Sequence, residues 1–291
     1  MAKVTTKKKP KKKYHHHAVT TVTQARSAIF APTLRPTASK ATVVVETPWA
    51  TATISRVQLT QVHRDILDVL FTYCDLHVRG DGSCAFVFHP HAVLKRLHET
   101  GNNISWLRDK FRDLEGAGLR IETKGKNAYT VETSIVRKHA WTTDEAQYAV
   151  VLESEYMQFF ARDMRVHTEG LTDKILALRH APTKALVRFV LTHRSWNRSI
   201  AETLDAIGYV GGERNRRIVA AKIESESTTL ERDFGIVIED GAIRYKQHGR
   251  VWFEEPGGSR PIGSAGTEKQ PTGSLPIGGR IASNRGTDRS Q

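Results

Sequence analysis

The sequence is poor in cysteine, has no acid in its opening stretch, and has no long apolar run. Its 291 residues include two cysteines, Cys74 and Cys84. Two are too few for a disulfide framework and they lack C-x-x-C spacing, which points to a reducing cytoplasm. No apolar stretch approaches the roughly 18 residues a membrane helix needs, so no membrane partner is expected. The basic N-terminus has no hydrophobic segment behind it, unlike a secretory signal. A G-x-x-x-x-G-K-[ST] loop is missing, which argues against nucleotide hydrolysis. Residues 1–40 hold ten Lys and Arg and no Asp or Glu, most of the net charge of +13. The rest of the chain is therefore nearly neutral, and nucleic-acid affinity there must come from local patches.

What is present divides into four stretches. Residues 1–40 read as a disordered basic arm, with Lys7 to Lys9, Lys11 to Lys13 and His15 to His17 in succession. Such an arm can hold phosphates non-specifically or simply solubilise the chain. Three histidines without fixed geometry make no metal site. A short apolar island, Ala25 to Phe30, is placed to dock on the body. From Glu254 onward Gly and Pro supply twelve of the 38 residues, which reads as a disordered tail.

Residues 41–145 read as a first folded unit. β-branched runs at Val43 to Val45 and Thr51 to Ser55 predict two strands. Thr60 opens a helix burying Val62, Ile66, Leu67, Leu70 and Phe71. Phe86 to Phe88 is strand-like, Pro90 suits the first position of a helix running through Leu97, and Gly101 ends it. Asn103 caps a third helix with Ile104, Leu107, Phe111 and Leu114 inward, stopped by Gly116 and Gly118. Leu119 to Thr123 and Ala128 to Val131 then flank a hairpin tip carrying Lys124 and Lys126. Three helices and a β-wing make a winged helix. The outer face of its third helix mixes Ser105, Asp109 and Asp113 with Arg108 and Arg112. It suits either DNA contact through Arg108, Arg112, Lys124 and Lys126 or a protein contact.

Residues 146–253 read as a second unit of the same plan. A strand at Tyr148 to Leu152, a helix burying Tyr156, Phe159 and Phe160, and a helix over Leu171 to Leu178 lead in. Leu186, Val187, Val190 and Leu191 mark a helix with one buried face. Ser199 with Glu202 forms a capping box for the next, which buries Ile200, Leu204 and Ile207 before Gly208, Gly211 and Gly212 break it. At about 100° per residue, the third helix puts Val219, Ile223 and Leu230 on one side and Arg214, Arg217, Ala221 and Ser225 on the other. Its first turns present Arg214, Asn215, Arg216 and Arg217, and no carboxylate lies between Glu213 and Glu224. Lys222 follows on the same helix. Ile236 to Ile238 and Ala242 to Tyr245 form a D-G hairpin, a wing carrying Arg244 and Lys246. Helix, helix, glycine turn and basic helix is how a helix-turn-helix meets a major groove. Arginine forks suit guanine edges and phosphates, and Asn215 suits adenine. A solvated basic face on an ordinary three-helix bundle would carry the same residues.

No catalytic set emerges, and no enzyme, cofactor or metal is expected. His89-Pro90-His91 resembles the paired histidines of tyrosine nickases, but the proline and the helix that starts there break the strand geometry those need. Asp65 with Asp68, and Asp109 with Asp113, read as surface ion pairs beside arginines rather than acid–base couples.

The chain resembles the plasmid replication initiators of the TrfA type and, more distantly, the two-winged-helix Rep initiators. The resemblance rests on ARSAIF at Ala25, LTQVHRDILDVL at Leu59, EYMQFFARD at Glu155, HAPTKALVRFVLTHR at His180 and SIAETLDAIG at Ser199. It implies an α+β fold of two tandem winged-helix domains and a protein that binds direct repeats, or iterons, in double-stranded DNA at a plasmid origin. It also implies opening of an adjacent AT-rich duplex, recruitment of a host initiator and replicative helicase, and a homodimer through the first domain. A winged-helix transcriptional regulator or autorepressor is the alternative, and a DNA nickase the third.

Overall fold

A computed structural model describes residues 20–36, 42–99, 103–126, 128–168, 170–247, 249 and 251–255. The chain order is β1 Thr20–Thr21, α1 Val22–Arg26, β2 Val43–Glu46, β3 Ala50–Ser55, α2 Gln61–Tyr73, β4 Asp75–Val78, β5 Cys84–Phe88, α3 Pro90–Arg96 and α4 Ile104–Gly116. It continues with β6 Gly118–Thr123, β7 Thr130–Thr133, β8 Val136–Trp141, β9 Tyr148–Leu152, α5 Ser154–Arg162, β10 Arg165–Thr168, α6 Thr172–Leu176 and α7 Ala181–Val190. Then come β11 Ser195–Ser199, α8 Ile200–Ala206, α9 Glu213–Glu224, α10 Ser227–Phe234, β12 Ile236–Glu239, β13 Ala242–Lys246 and β14 Val251–Glu254. The result is a mixed α/β molecule with four small antiparallel sheets among the described residues. Among those residues no helix is long and apolar enough to cross a membrane.

Two apolar cores organise these elements. The first gathers Ile66 and Leu70 of α2, Phe86 of β5, Phe111 of α4, Ile121 of β6 and Phe159 of α5. The second gathers Leu186 and Val190 of α7, Leu204 of α8, Ile223 of α9, Phe234 of α10 and Ile243 of β13. The chain leaves the first core after Phe159 and enters the second at Val166, and Leu176 of α6 packs back on the first. β9 and α5 thus belong to the first core, whereas the sequence assigned them to the unit beginning at 146. The cause is long-range pairing: β9 lies between β5 and β8, with Phe86 opposite Val150.

The same pairing corrects the reading of the first unit. Its hairpin of β6 and β7 pairs with β3, which precedes the helices, in the order β2-β3-β6-β7. The Phe86 to Phe88 strand is absent from that sheet and sits in the order β4-β5-β9-β8. In the second unit, β11 lies between the first two helices and pairs with the far strand of the hairpin, giving the order β11-β13-β12. That hairpin turns at Asp240 and Gly241, with φ of 50° and 72°, as the type I′ geometry of a D-G pair requires.

Several local expectations differ. Residues 20–36 fold, although the arm was expected to be disordered to residue 40. Thr21 and Gln24 close a reciprocal capping box on α1, and β1 pairs with β10. The apolar island docks: Ile29 and Phe30 are buried, and the Phe30 carbonyl accepts from Gln61 Nε2 at 2.9 Å. At the other end Val251–Glu254 forms a strand on β10. Asn103 does occupy the N-cap of α4, but its side chain donates to Glu99 Oε2 at 3.0 Å instead of capping. α9 ends at Glu224 and α10 begins at Ser227, so Leu230 belongs to a separate helix. The remaining arm and tail, Gly101 and the Phe160 side chain lie outside the described residues.

Candidate nucleic-acid interface

The second unit's turn is built by three devices. Ser199 accepts from the Glu202 amide at 3.2 Å while Glu202 Oε2 accepts from the Ser199 amide at 2.9 Å, which starts α8. Trp196 Nε1 donates to Thr203 Oγ1 at 3.0 Å, fixing β11 against α8. Gly208 then turns the chain at φ +71°, where a Cβ would lie 2.7 Å from both Ala28 Cβ and Val45 Cγ1. Only glycine fits that left-handed, crowded position. The turn therefore touches both the N-terminal segment and the first unit's sheet.

α9 rests on α7 and α8 through Val219 and Ile223 and leaves its other side open. That open face carries Arg214, Arg217, Ile218, Ala221, Lys222 and Ser225. Among the described residues, Arg214 and Lys222 have no carboxylate partner. Arg217 pairs with Glu213 one turn earlier, with both side chains 78% exposed, a contact water screens strongly. Arg214, Arg217 and Lys222 are thus brought together on one solvent-facing surface.

Arg216 is not on that surface, contrary to the sequence reading. Its guanidinium folds back to Asp205 Oδ1 at 2.6 Å and donates to the Gly211 carbonyl at 3.1 Å and the Tyr209 carbonyl at 3.3 Å. It fixes the α8–α9 turn. Asn215 is exposed but projects to the side, where it lines a groove with Tyr209 and Val210. Two apolar residues were missed: Val210 is 83% exposed beside the turn and Ile218 is 47% exposed on the α9 face. A stray apolar residue among exposed arginines was the signal that could have found Ile218.

The hairpin carries Arg244 and Lys246 on its outward face, opposite Asn197 and Ser195 of β11. Arg244 Nη1 donates to Glu239 Oε2 at 2.5 Å, and the turn itself presents Asp240. Lys246 is exposed and, among the described residues, unpaired. The hairpin is weaker in positive charge than its two cations suggest.

In the first unit the expected cations are mostly engaged. Arg108 is enclosed: it pairs with Glu145, donates to Tyr148 Oη at 2.6 Å and lies 4.4 Å over the Trp141 ring. The Glu145 and Tyr148 oxygens hold its charge more firmly than burial opposes it, although burial is the largest single influence. Arg112 pairs with Asp109 at 2.7 Å, and Lys110 with Asp113 at 2.6 Å. Lys124 donates to the Thr47 carbonyl at 2.9 Å and lies 3.7 Å from Glu46. Of the four residues proposed there, Lys126 alone is exposed without a partner among the described residues.

Asp65 and Asp68, read as surface groups, are buried at the junction of the two cores against Arg188 and Lys184. Asp109 is a surface partner as expected, whereas Asp113 also accepts from His63 Nε2 at 3.0 Å. His89 occupies the N-cap position of α3, which starts at Pro90, without a side-chain capping bond, and its ring lies 5.2 Å from that of His91, tilted by 32°. Among the described residues no three His, Cys, Asp or Glu side chains come together as a metal site would require.

No family model matches the chain, and no curated protein matches it. Among solved structures it is similar to a selenomethionine crystal structure of domains 2 and 3 of RctB. Identity is 10%, over 80% of this chain and 98% of that one, with a TM-score of 0.49. A second structure of RctB domains 2–3 is 12% identical over 77% of this chain and 94% of the other, with a TM-score of 0.44.

Proposed function

We propose that this chain is a replication initiator that grips direct repeats at a plasmid origin, with α9 as its reading helix. The observation that carries the reading is the open face of Arg214, Arg217 and Lys222, on a helix that follows a locked turn and precedes a hairpin. We assign α7, β11, α8, α9, β12 and β13 to a winged helix, because β11 pairs with the far strand of the hairpin as that plan requires. Arg214 and Arg217 supply bidentate donors for guanine edges or phosphates, and Ile218 an apolar contact for a thymine methyl. Lys222 and Lys246 position the backbone. The first unit's α4 has its cations satisfied internally, which favours a protein contact there, a homodimer by the family resemblance, over base reading. Duplex opening and recruitment of a host initiator and helicase belong to the same proposal, and no catalytic step is assigned to this chain.

The experiment is plasmid persistence. A replicon lacking its own initiator but carrying the gene and its neighbouring repeats is introduced into a host, with Arg214→Ala/Arg217→Ala as the paired variant. Persistence with the natural protein and loss with the variant is the expected result. Repression of a promoter without persistence would instead make the chain a transcriptional regulator.

A further inference from the structure

A groove of about 290 Å³ separates the two units on the side of the reading turn. Its walls are the N-terminal segment at Ala28 and Pro32, the sheet residues Val43 and Val45, and the turn residues Tyr209 and Val210. The three walls converge at Gly208, whose missing side chain lets Ala28 and Val45 close in. Gln58 and Asn215 give the mostly apolar lining two amide side chains, and Thr33 and Tyr209 add hydroxyls. A lining of this composition accepts a small apolar segment whose backbone groups meet amides at the margin.

The chain itself supplies one. Residues 256–291 contain the same short pattern twice, Ser259-Arg260-Pro261-Ile262-Gly263 and Ser274-Leu275-Pro276-Ile277-Gly278. Ile262 and Ile277 are among the few large apolar side chains of that stretch. Reach favours the first copy, because Ile262 stands fifteen residues nearer to Glu255 than Ile277 does. β1 and β14 both run antiparallel to β10, so they are parallel to each other, with Thr21 and Glu254 level across it. They stand two strand spacings apart, about 10 Å. From Thr21 the chain enters α1, about 8 Å long, and then delivers Ala28 to the groove. Ala28 at the groove therefore lies within roughly 25 Å of Glu254. Ile262 lies within about 25 Å of extended chain from Glu255.

We propose that the Pro261-Ile262-Gly263 segment seats in this groove, in cis, with the Ile262 side chain between Val45 and Val210. The rigid φ of Pro261 lowers the entropy lost on docking, and Gly263 lets the backbone leave close to the wall. Because Asn215 borders the groove next to Arg214, a seated tail also shields the first turn of α9. Docking itself does not rest on the DNA-binding reading.

The test is disulfide trapping in the full-length chain, with Thr33→Cys on the groove wall and Ser264→Cys just beyond the segment. Cys74 and Cys84 are buried and their thiols are pushed up to about 12 and about 11, so they stay out of the exchange. Oxidation is expected to give the intramolecular bond, and adding Ile262→Asp to slow it by about tenfold at unchanged tail length, as the effective concentration falls. Adding Ile277→Asp is expected to leave the rate unchanged. Equal rates with and without Ile262→Asp would overturn the proposal. So would trapping that gives mainly covalent dimers at low micromolar protein, which would make a second copy's tail the occupant, or equal trapping to Glu231→Cys on α10. No DNA enters the measurement, so its failure and that of the DNA-binding reading are separate.

Discussion

Arg188 of α7 donates from Nε to Asp68 Oδ2 of α2 at 2.8 Å, across the seam where the two cores meet. Its Nη1 donates to Gln61 Oε1 at 2.6 Å and its Nη2 to Asp65 Oδ1 at 2.5 Å, while Lys184 Nζ donates to Asp65 Oδ2 at 2.6 Å. Arg64 completes the cluster at 2.9 Å from Asp68 Oδ1. All of Asp65, Asp68, Arg64 and Lys184 are buried, so the two units are joined by a desolvated charge network as well as by apolar packing. Such a network fixes geometry, because removing one member strands its partners.

Replacing Arg188 by alanine is therefore expected to cost about 3–5 kcal/mol, since two carboxylates lose their shared donor inside the protein. Arg120→Ala, which removes only exposed contacts to Glu122 and Glu132, should stay within about 0.5 kcal/mol. Urea titration of both variants checks this. Equal effects would mean that the seam is wet.

Acid sensitivity is expected from His193. Its Nδ1 donates to the Phe189 carbonyl at 3.0 Å, and its ring packs against Trp49 and Trp196. Burial, and then the nearby Arg26 charge, lower its pKa from 6.5 to about 4. The unfolded chain thus binds the proton more readily than the folded one. The stability from neutral His193 is present in full above pH 6.5 and is lost as pH falls toward 4. Burial lowers the pKa of His63 as well, adding to the loss in the same direction. Unfolding midpoints measured from pH 7 to 4 should fall less steeply for His193→Phe than for the natural protein.

On DNA the cations should separate by environment. Arg214→Ala and Arg217→Ala are each expected to cost about 1–3 kcal/mol of binding and relax base preference, while Lys222→Ala should lower the salt slope by about 0.9. Arg108→Ala should leave base preference unchanged and lower thermal stability, because its partners are Glu145, Tyr148 and Trp141. Gel-shift titrations at several salt concentrations, beside thermal melts, distinguish the two behaviours.

The turn gives a further contrast. Gly208→Ala meets both a left-handed backbone and two carbon atoms at 2.7 Å, so it should destabilise by at least about 1–3 kcal/mol. Gly212→Ala meets nothing within 4 Å at an ordinary backbone conformation and should be close to neutral. Differential scanning calorimetry of the two variants is the check.

Much of the local structure was legible in the residue order. The stripe in α2, Pro90 at the start of α3, the Ser199–Glu202 box and the Asp240-Gly241 turn all follow from short-range sterics and hydrogen bonding within a few residues. The solvent-facing basic side of α9 was legible for the same reason, as a helix turned about 100° per residue has few choices once Val219 and Ile223 face inward. Strand partners were not. A strand such as Phe86 to Phe88 pairs equally well with a following hairpin or with Tyr148 to Leu152, and the choice is made by the whole first core.

By itself, then, the sequence determined α2, α4, α7 and α8 with their inward faces, the glycine turn and an outward row of cations on α9. The tertiary structure alone decided which charges stay available. Arg216 and Arg217 are neighbours of identical chemistry, yet one locks a turn through Asp205 and the other meets water. Asp65 and Asp68 look like surface carboxylates on a helix until α7 lays Arg188 over them. Availability depends on burial and on partners far along the chain, and those are properties of packing, which no local pattern encodes.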